Sequence, residues 1–203
     1  MGTDLLVVMP GTHSRGGANS GWGGASSLTI DDARAIEREG SFVDSVTYMR
    51  TGSVQILYGH SNWATTVMGT TPAFREVGNS DVVQGEYFSE RDMRFAARVV
   101  VVGRTIVDQL FESGEDPIGA AVRIRDTAFR VIGVLESKGG TSFAGDRDDY
   151  VLMPFTTAVR RVLGNRLPGM VQQIMVSASP GINSLTAADE IEEILRQIGR
   201  AHV

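Results

Sequence analysis

Apolar residues recur along this chain with two periods, and the switches between them outline its elements. "DLLVVM" (4–9) reads as a buried strand. Thr29, Asp31 and Asp32 predict a helix start, because acids in a first turn complement the helix dipole. That helix runs to Glu39, stops at Gly40 and buries Ala33 and Ile36. Residues 43–59 predict two strands turning at Thr51-Gly52. Residues 63–69 alternate like a further strand, a helical turn follows Pro72, and "SERD" (89–92) stands where a helix cap belongs. "ARVVVVG" (97–103) is continuously apolar and predicts a central strand. Ile106, Val107, Leu110 and Phe111 then share one helical face. Residues 121–136 predict two alternating strands joined at Asp126-Thr127. The chain closes with a strand "YVLMP" (150–154), a short helix ending at Gly164, a strand over 170–179 and an amphipathic helix. Ala188, Ile191, Leu195 and Ile198 mark the inward face of that last helix.

Strand–helix alternation at both ends and a strand-rich middle predict a mixed α/β (α+β) fold with one domain inserted into another. Termini that meet at a surface make such insertions tolerable. The expected outer domain comprises residues 1–58 and 149–203, and the expected insert residues 60–148. Within the outer domain, the glycine- and serine-rich stretch 10–27 cannot bury a core and predicts a flexible loop.

Composition narrows the function classes. The 203 residues suffice for a sizeable core. A net charge of −5, with acids and bases interspersed, argues against a nucleic-acid partner. No apolar run approaches the roughly 20 residues that span a bilayer, which leads us to expect a soluble piece. The absence of cysteine removes disulfides, thiolate metal sites and cysteine nucleophiles. Lys138 is the only lysine, so Schiff-base chemistry would fall there or nowhere.

No catalytic pattern emerges. There is no GxxxxGK[ST] loop to cradle a nucleotide, and no GxSxG elbow. The strand–glycine–helix junction at Gly103 lacks the further glycines of a dinucleotide fingerprint. His13, His60 and His202 are scattered and have no partner at metal-ligand spacing. We therefore expect no catalytic, cofactor-binding or metal-binding residues. The stretch "ESKGGTSFAGDRDDYVLMP" (136–154) is the candidate site. Its acids do not follow the calcium-loop pattern D-x-[DN]-x-[DN]-G, and they would repel a phosphate. A shaped, protein-facing loop remains, with Gly140, Phe143, Asp146, Asp148 and Asp149 as candidate partner-contact residues. Phe143 is either its apolar anchor for a partner or folds back onto its own domain, and the aspartates shape the turn by accepting from nearby backbone N–H groups.

The ordered set "DLLVVMPG", "LTIDDARAIE", "WATTVMGTTPAFREV", "GEYFSERDMRFAARVVVVGRTIVDQLF", "DPIGAAVRI", "FRVIGVLESKG" and "DRDDYVLMPFTTAVRRVLG" resembles the extracytoplasmic core domain of MacB-type, FtsX-like ABC transporter permeases. The resemblance is collinear from about residue 4 to 198. It implies a porter-like α/β subdomain built from both ends, with a smaller Sabre-like subdomain inserted. It implies one transmembrane helix before this domain and three after it, so that this chain is an excised fragment from the periplasmic face of the inner membrane. ATP would be used by a separate nucleotide-binding domain or subunit. The implied role is mechanotransmission, the relay of ATP-driven closure into movement of the external domains, which meet a periplasmic adaptor protein. The intact transporter is expected to be a dimer and the isolated fragment a monomer. A second reading, from related permeases, is a cargo-binding domain for lipoprotein release or a regulatory domain in cell division.

Overall fold

The computed structural model describes residues 5–10, 28–139, 141–142, 145–146, 148–164 and 168–201. The predicted loop 10–27 therefore lies, beyond Pro10, outside the described residues. In chain order the elements are β1 (Leu5–Val8), α1 (Ile30–Glu39), β2 (Val43–Tyr58), β3 (Ser61–Thr70), α2 (Phe74–Val77), β4 (Val82–Gly85), α3 (Glu90–Phe95), β5 (Val99–Val102) and α4 (Arg104–Leu110). There follow β6 (Ala121–Ile124), β7 (Thr127–Leu135), β8 (Thr141–Ser142), β9 (Gly145–Asp146), β10 (Tyr150–Pro154), α5 (Phe155–Thr157) continuing as a π-helical turn (Ala158–Leu163), β11 (Gln173–Ala178) and α6 (Ser184–Ala201). The fold is mixed α/β.

Contacts group the chain into two compact units: residues 1–48 with 167–203, and residues 49–166. The expected crossings were at 58 and 149. The first instead falls inside β2. The second falls after the π-helical turn, because β10 pairs with β3 and β5, both of the second unit.

In the first unit β1 pairs antiparallel with β11, Leu5 opposite Ser177 and Val8 opposite Ile174. Leu6 and Val8 share a face with the buried Ile174 and Val176. Helix α1 begins as its sequence dictates. The Thr29 hydroxyl accepts the Asp32 amide at 3.2 Å, and the Asp32 carboxylate accepts the Thr29 amide at 2.7 Å, a reciprocal capping box. Ala33, Ala35 and Ile36 are buried. Helix α6 packs on α1, and its Glu190 carboxylate accepts the amides of Ser41 and Phe42 at 2.9 and 3.0 Å. Its inward face differs from the predicted stripe: Ala187, Ile191 and Ile194 are buried, whereas Ala188, Leu195 and Ile198 are only half-buried. Both stripes contain Ile191, and the observed one is turned by one residue.

In the second unit six strands close into a ring. β2 pairs with β3, β3 with β10, β10 with β5, β5 with β7, β7 with β6, and β6 back with β2. The inward residues alternate as strand geometry requires: Val54 and Ile56, Val100 and Val102, Val122 and Ile124, Phe129 and Val131, Val151 and Met153 are all buried in one core. Ile106, Leu110 and Phe111 of the α4 segment complete that core, with Val107 packed partly against it. Strand β4, which the pattern did not predict, pairs along the far end of β7.

Two predicted turns move. Thr51-Gly52 lies mid-strand, opposite Met68 and Val67, and β2 is one unbroken strand. The chain reverses at Gly59-His60, where Gly59 takes φ +56°. Gly52 is there for packing: a Cβ on it would stand 2.6 Å from the Leu163 side chain. Gly69 does the same service for Ala158, which a Cβ would meet at 2.3 Å. Two glycines thus let the 158–163 turn lie close against the β2–β3 hairpin. The β6–β7 turn falls at Arg125-Asp126, one residue earlier than predicted, with Arg125 at φ +52°.

Candidate functional site

The 136–154 stretch carries more regular structure than its composition predicts. β8 and β9 form a two-stranded antiparallel ribbon, Thr141 opposite Asp146 and Ser142 opposite Gly145. Gly140 and Phe143 lie outside the described residues, and Asp146 is placed only as a backbone member of β9.

Asp148 and Asp149 stand at the foot of the ribbon and turn to different partners. Asp148 is only 8% exposed. Its carboxylate accepts the Ser137 hydroxyl at 2.5 Å and the amides of Lys138 and Gly139 at 2.8 and 3.1 Å. One side chain thereby ties both ends of the loop together, across a backbone that Gly139 turns with φ +59°. The Asp148 carbonyl accepts the Thr105 amide at 3.3 Å, fixing the foot to α4. Asp149 accepts the Trp63 indole N–H of β3 at 3.0 Å. The Lys138 ammonium donates to the Gly78 carbonyl at 2.7 Å. Close by, Gly103 donates to the Tyr150 carbonyl at 2.9 Å. The base of the loop is therefore stapled to β3, to the end of α2 and to the β5–α4 junction, all within the second unit.

The site missed in the sequence is this set of anchors. Ser137 and Lys138 precede Asp148 by 11 and 10 residues and are legible only as loop residues. Trp63 is 86 residues from Asp149, and nothing local in "WATTVMG" marks it as anything but a strand residue. The acids do not converge on a point. Among the described residues, no group of three or more His, Asp or Glu side chains is placed to hold a metal ion. His60 is exposed at its hairpin turn, and His13 and His202 lie outside the described residues.

Burial would raise the Asp148 pKa, but the Ser137 hydroxyl, the two amides and the Lys138 charge together outweigh it and hold the carboxyl below its ordinary value. The sign of the linkage follows. A carboxylate with a depressed native pKa contributes stability that is complete above the ordinary aspartate pKa of about 3.9 and is lost as pH falls through the lower native value. The loop base is therefore expected to stay locked at neutral pH and to open below about pH 4. The Lys138 and Gly139 amide resonances, followed by NMR, should shift together in acid and be flat between pH 5 and 8. Movement of both near pH 6 would contradict the clamp.

Three of the four acids in the cleft between Gln84 and residues 104–117 are likewise engaged. Asp108 pairs with Arg104 at 3.0 Å, Glu115 accepts the Tyr58 hydroxyl at 2.6 Å and the Glu112 amide at 3.1 Å, and Asp116 accepts from Gln84 and the Ile118 amide. No helix among the described residues is long and apolar enough to cross a membrane.

Comparison with known proteins identifies the family and the fold. The model of the MacB-like periplasmic core domain matches residues 1–194. The macrolide export ATP-binding/permease protein MacB of Syntrophobacter fumaroxidans is 37% identical over 200 residues, which cover 96% of this chain and 28% of that protein. Its counterpart in Chlorobaculum tepidum is 35% identical over 199 residues, 97% of this chain and 30% of that protein. The chain thus spans less than a third of the length of these relatives. The fold is that of the periplasmic region of MacB from Actinobacillus actinomycetemcomitans, with a TM-score of 0.76 at 24% identity, covering 97% of this chain and 85% of that one. It is also that of the extracellular domain of the noncanonic ABC-type transporter YknZ from Gram-positive bacteria, with a TM-score of 0.75 at 17% identity, covering 97% and 95%. Matched along almost all of its length, the chain belongs to the MacB-like periplasmic core domain family of ABC transporter permeases.

Proposed function

We propose that this domain is a non-catalytic, extracytoplasmic mechanical element of a MacB-like exporter. It relays motion driven by ATP hydrolysis elsewhere in the transporter, and it meets a periplasmic adaptor protein through the 137–149 loop. The observation that supports this reading is the Asp148 clamp. A loop that transmits force to a partner needs a stiff base, and here one carboxylate, one indole contact and one lysine contact fix the base while β8 and β9 extend from it. Relatives named for macrolide export make macrolides the first substrates to test.

The test is Phe143→Ala. In the 203-residue chain the melting temperature is expected to stay within about 2 °C of wild type, because surface substitutions stay within roughly 0.5 kcal/mol. In the intact transporter, expressed in a strain lacking its own exporters, macrolide resistance is expected to fall. A loss of roughly 3–5 kcal/mol, the range of core aromatic truncations, would mark Phe143 as core and remove it from the contact. Unchanged resistance with unchanged stability would also overturn the reading.

A further inference from the structure

The turn that follows β10 and α5 is wound more loosely than an ordinary helix. From Ala158 to Leu163 it takes the π form, in which residue i bonds to i+5, a form that is rare and often marks functional sites. Two seats on the β2–β3 hairpin hold it open. Ala158 lies against Gly69, where a Cβ would come within 2.3 Å of it, and Leu163 lies against Gly52, where a Cβ would come within 2.6 Å. In an α-helix these two residues would face about 140° apart, because each residue advances the chain by about 100°. A π turn returns at the fifth residue and puts both side chains on the hairpin side.

The two ends of the turn are held unequally. Upstream, the Phe155 amide donates to the Met93 sulfur at 3.1 Å, and the hydroxyls of Thr156 and Thr157 donate to the carbonyls of Met93 and Ala97. Downstream, Gly164 takes φ +79°, and its carbonyl accepts one long bond, 3.3 Å, from the exposed Arg50 guanidinium. In between, Ala158, Val159 and Val162 are buried, whereas Arg160 and Arg161 stand exposed side by side. The widest part of the turn is thus outside the core.

We propose that this turn is a register switch. Closing to an α-turn leaves Ala158 on Gly69 and brings Val162, four residues on, to the seat at Gly52. Leu163 is released, and one residue of chain passes beyond the turn at its weakly held end, close to residue 166, where the second unit ends. The closed form regains ordinary helical bonding and loses the larger Leu163 contact, so a gain opposes a loss. An α-turn uses four residues where the π turn uses five, and is longer per residue. Tension on the chain beyond Gly164 therefore draws the turn closed. Its use in taking up force rests on the reading of this domain as a mechanical element.

Deleting Arg160 tests this, since it removes the extra residue and nothing from the core. Ala158 and Leu163 are then four apart, both seats stay filled and the turn is fixed as α. In the 203-residue chain the melting temperature is expected to stay within about 3 °C of wild type. Nitrogen-15 relaxation dispersion and saturation transfer should show Val162, Leu163 and Gly164 of the wild type exchanging with a minor state on the microsecond-to-millisecond scale. The minor-state shifts should match those of the deletion variant, which itself shows no such exchange. In the intact transporter the deletion should lower macrolide resistance at least about fourfold, while Arg160→Ala, which keeps the length, leaves it unchanged. Failure of the deletion variant to fold would mean that packing requires the fifth residue, and overturns the switch. Flat dispersion profiles in the wild type overturn it as well. Unchanged resistance in the deletion variant, or an equal fall in Arg160→Ala, removes its role in transport. The NMR comparison involves neither substrate nor adaptor, so it decides the switch whatever Phe143→Ala shows.

Discussion

Phe129→Ala is expected to lower the unfolding free energy by about 3–5 kcal/mol, the range for deleting a buried aromatic ring. Phe129 is 1% exposed and stands inside the six-strand ring opposite Val122, with Ile124 and Val131 in the same core. A closed ring has no free edge along which to slide and fill the space, so the cavity term adds to the transfer term. At roughly 2–4 °C per kcal/mol for a chain of this size, the second unit's transition should fall by on the order of 10 °C. Arg130→Ala, the next residue but facing outward, should change stability by less than about 0.5 kcal/mol. Urea unfolding followed by circular dichroism checks both. A cost below about 1 kcal/mol for Phe129→Ala would mean that the ring is not packed as described.

The second large effect concerns Gly103. A Cβ there would lie 2.1 Å from the Asp148 carbonyl oxygen and 3.1 Å from that of Tyr150. Both are backbone atoms that no rotamer change can withdraw, so Gly103→Ala must displace the 148–150 segment or the start of α4. We expect a loss of about 3 kcal/mol, the upper end for overpacking a well-filled site. The Lys138 and Gly139 amides should lose their protection against exchange along with it, since the Asp148 carboxylate moves with its own carbonyl. Gly114→Ala serves as the control. Gly114 takes a left-handed backbone, φ +87°, but a Cβ there meets nothing within 4 Å, so its cost should be only about 1 kcal/mol of backbone strain. If the two substitutions cost the same, the close approach at Gly103 has no energetic weight.

What the sequence makes legible is set by how far apart the cooperating residues lie. Both capping boxes are local, Thr29 with Asp32 and Ser89 with Asp92, and both helix starts could be placed from three or four neighbouring residues. The run Val99–Val102 is buried at all four positions and reads as a central strand without further help. Gly52 misleads, because a glycine excluded by the Leu163 side chain carries the same letter as a glycine that turns a hairpin. Ala187 and Ala188 are equally apolar, and only the packing of α6 on α1 decides which is inside. At the candidate site the composition announces a shaped loop. That its aspartates accept backbone N–H groups is legible too, but not that Asp148 takes those of Lys138 and Gly139, ten and nine residues back, nor that Asp149 meets Trp63, a contact that exists only once β3 and β10 lie side by side.

The pairing of Leu5 with Ser177 has a consequence in time rather than in space. β1 is synthesised before the whole second unit, and its partner strand, β11, after it. At roughly 5–20 residues per second, that delay is on the order of ten seconds. Throughout it the backbone donors and acceptors of Leu5–Val8 wait for the strand they will pair with, and all four side chains are apolar. A short, uncharged, unpaired strand is the type of segment that holding chaperones shield and that aggregation recruits. Folding of this domain thus depends on what β1 meets before β11 exists, as well as on the stability of the finished fold.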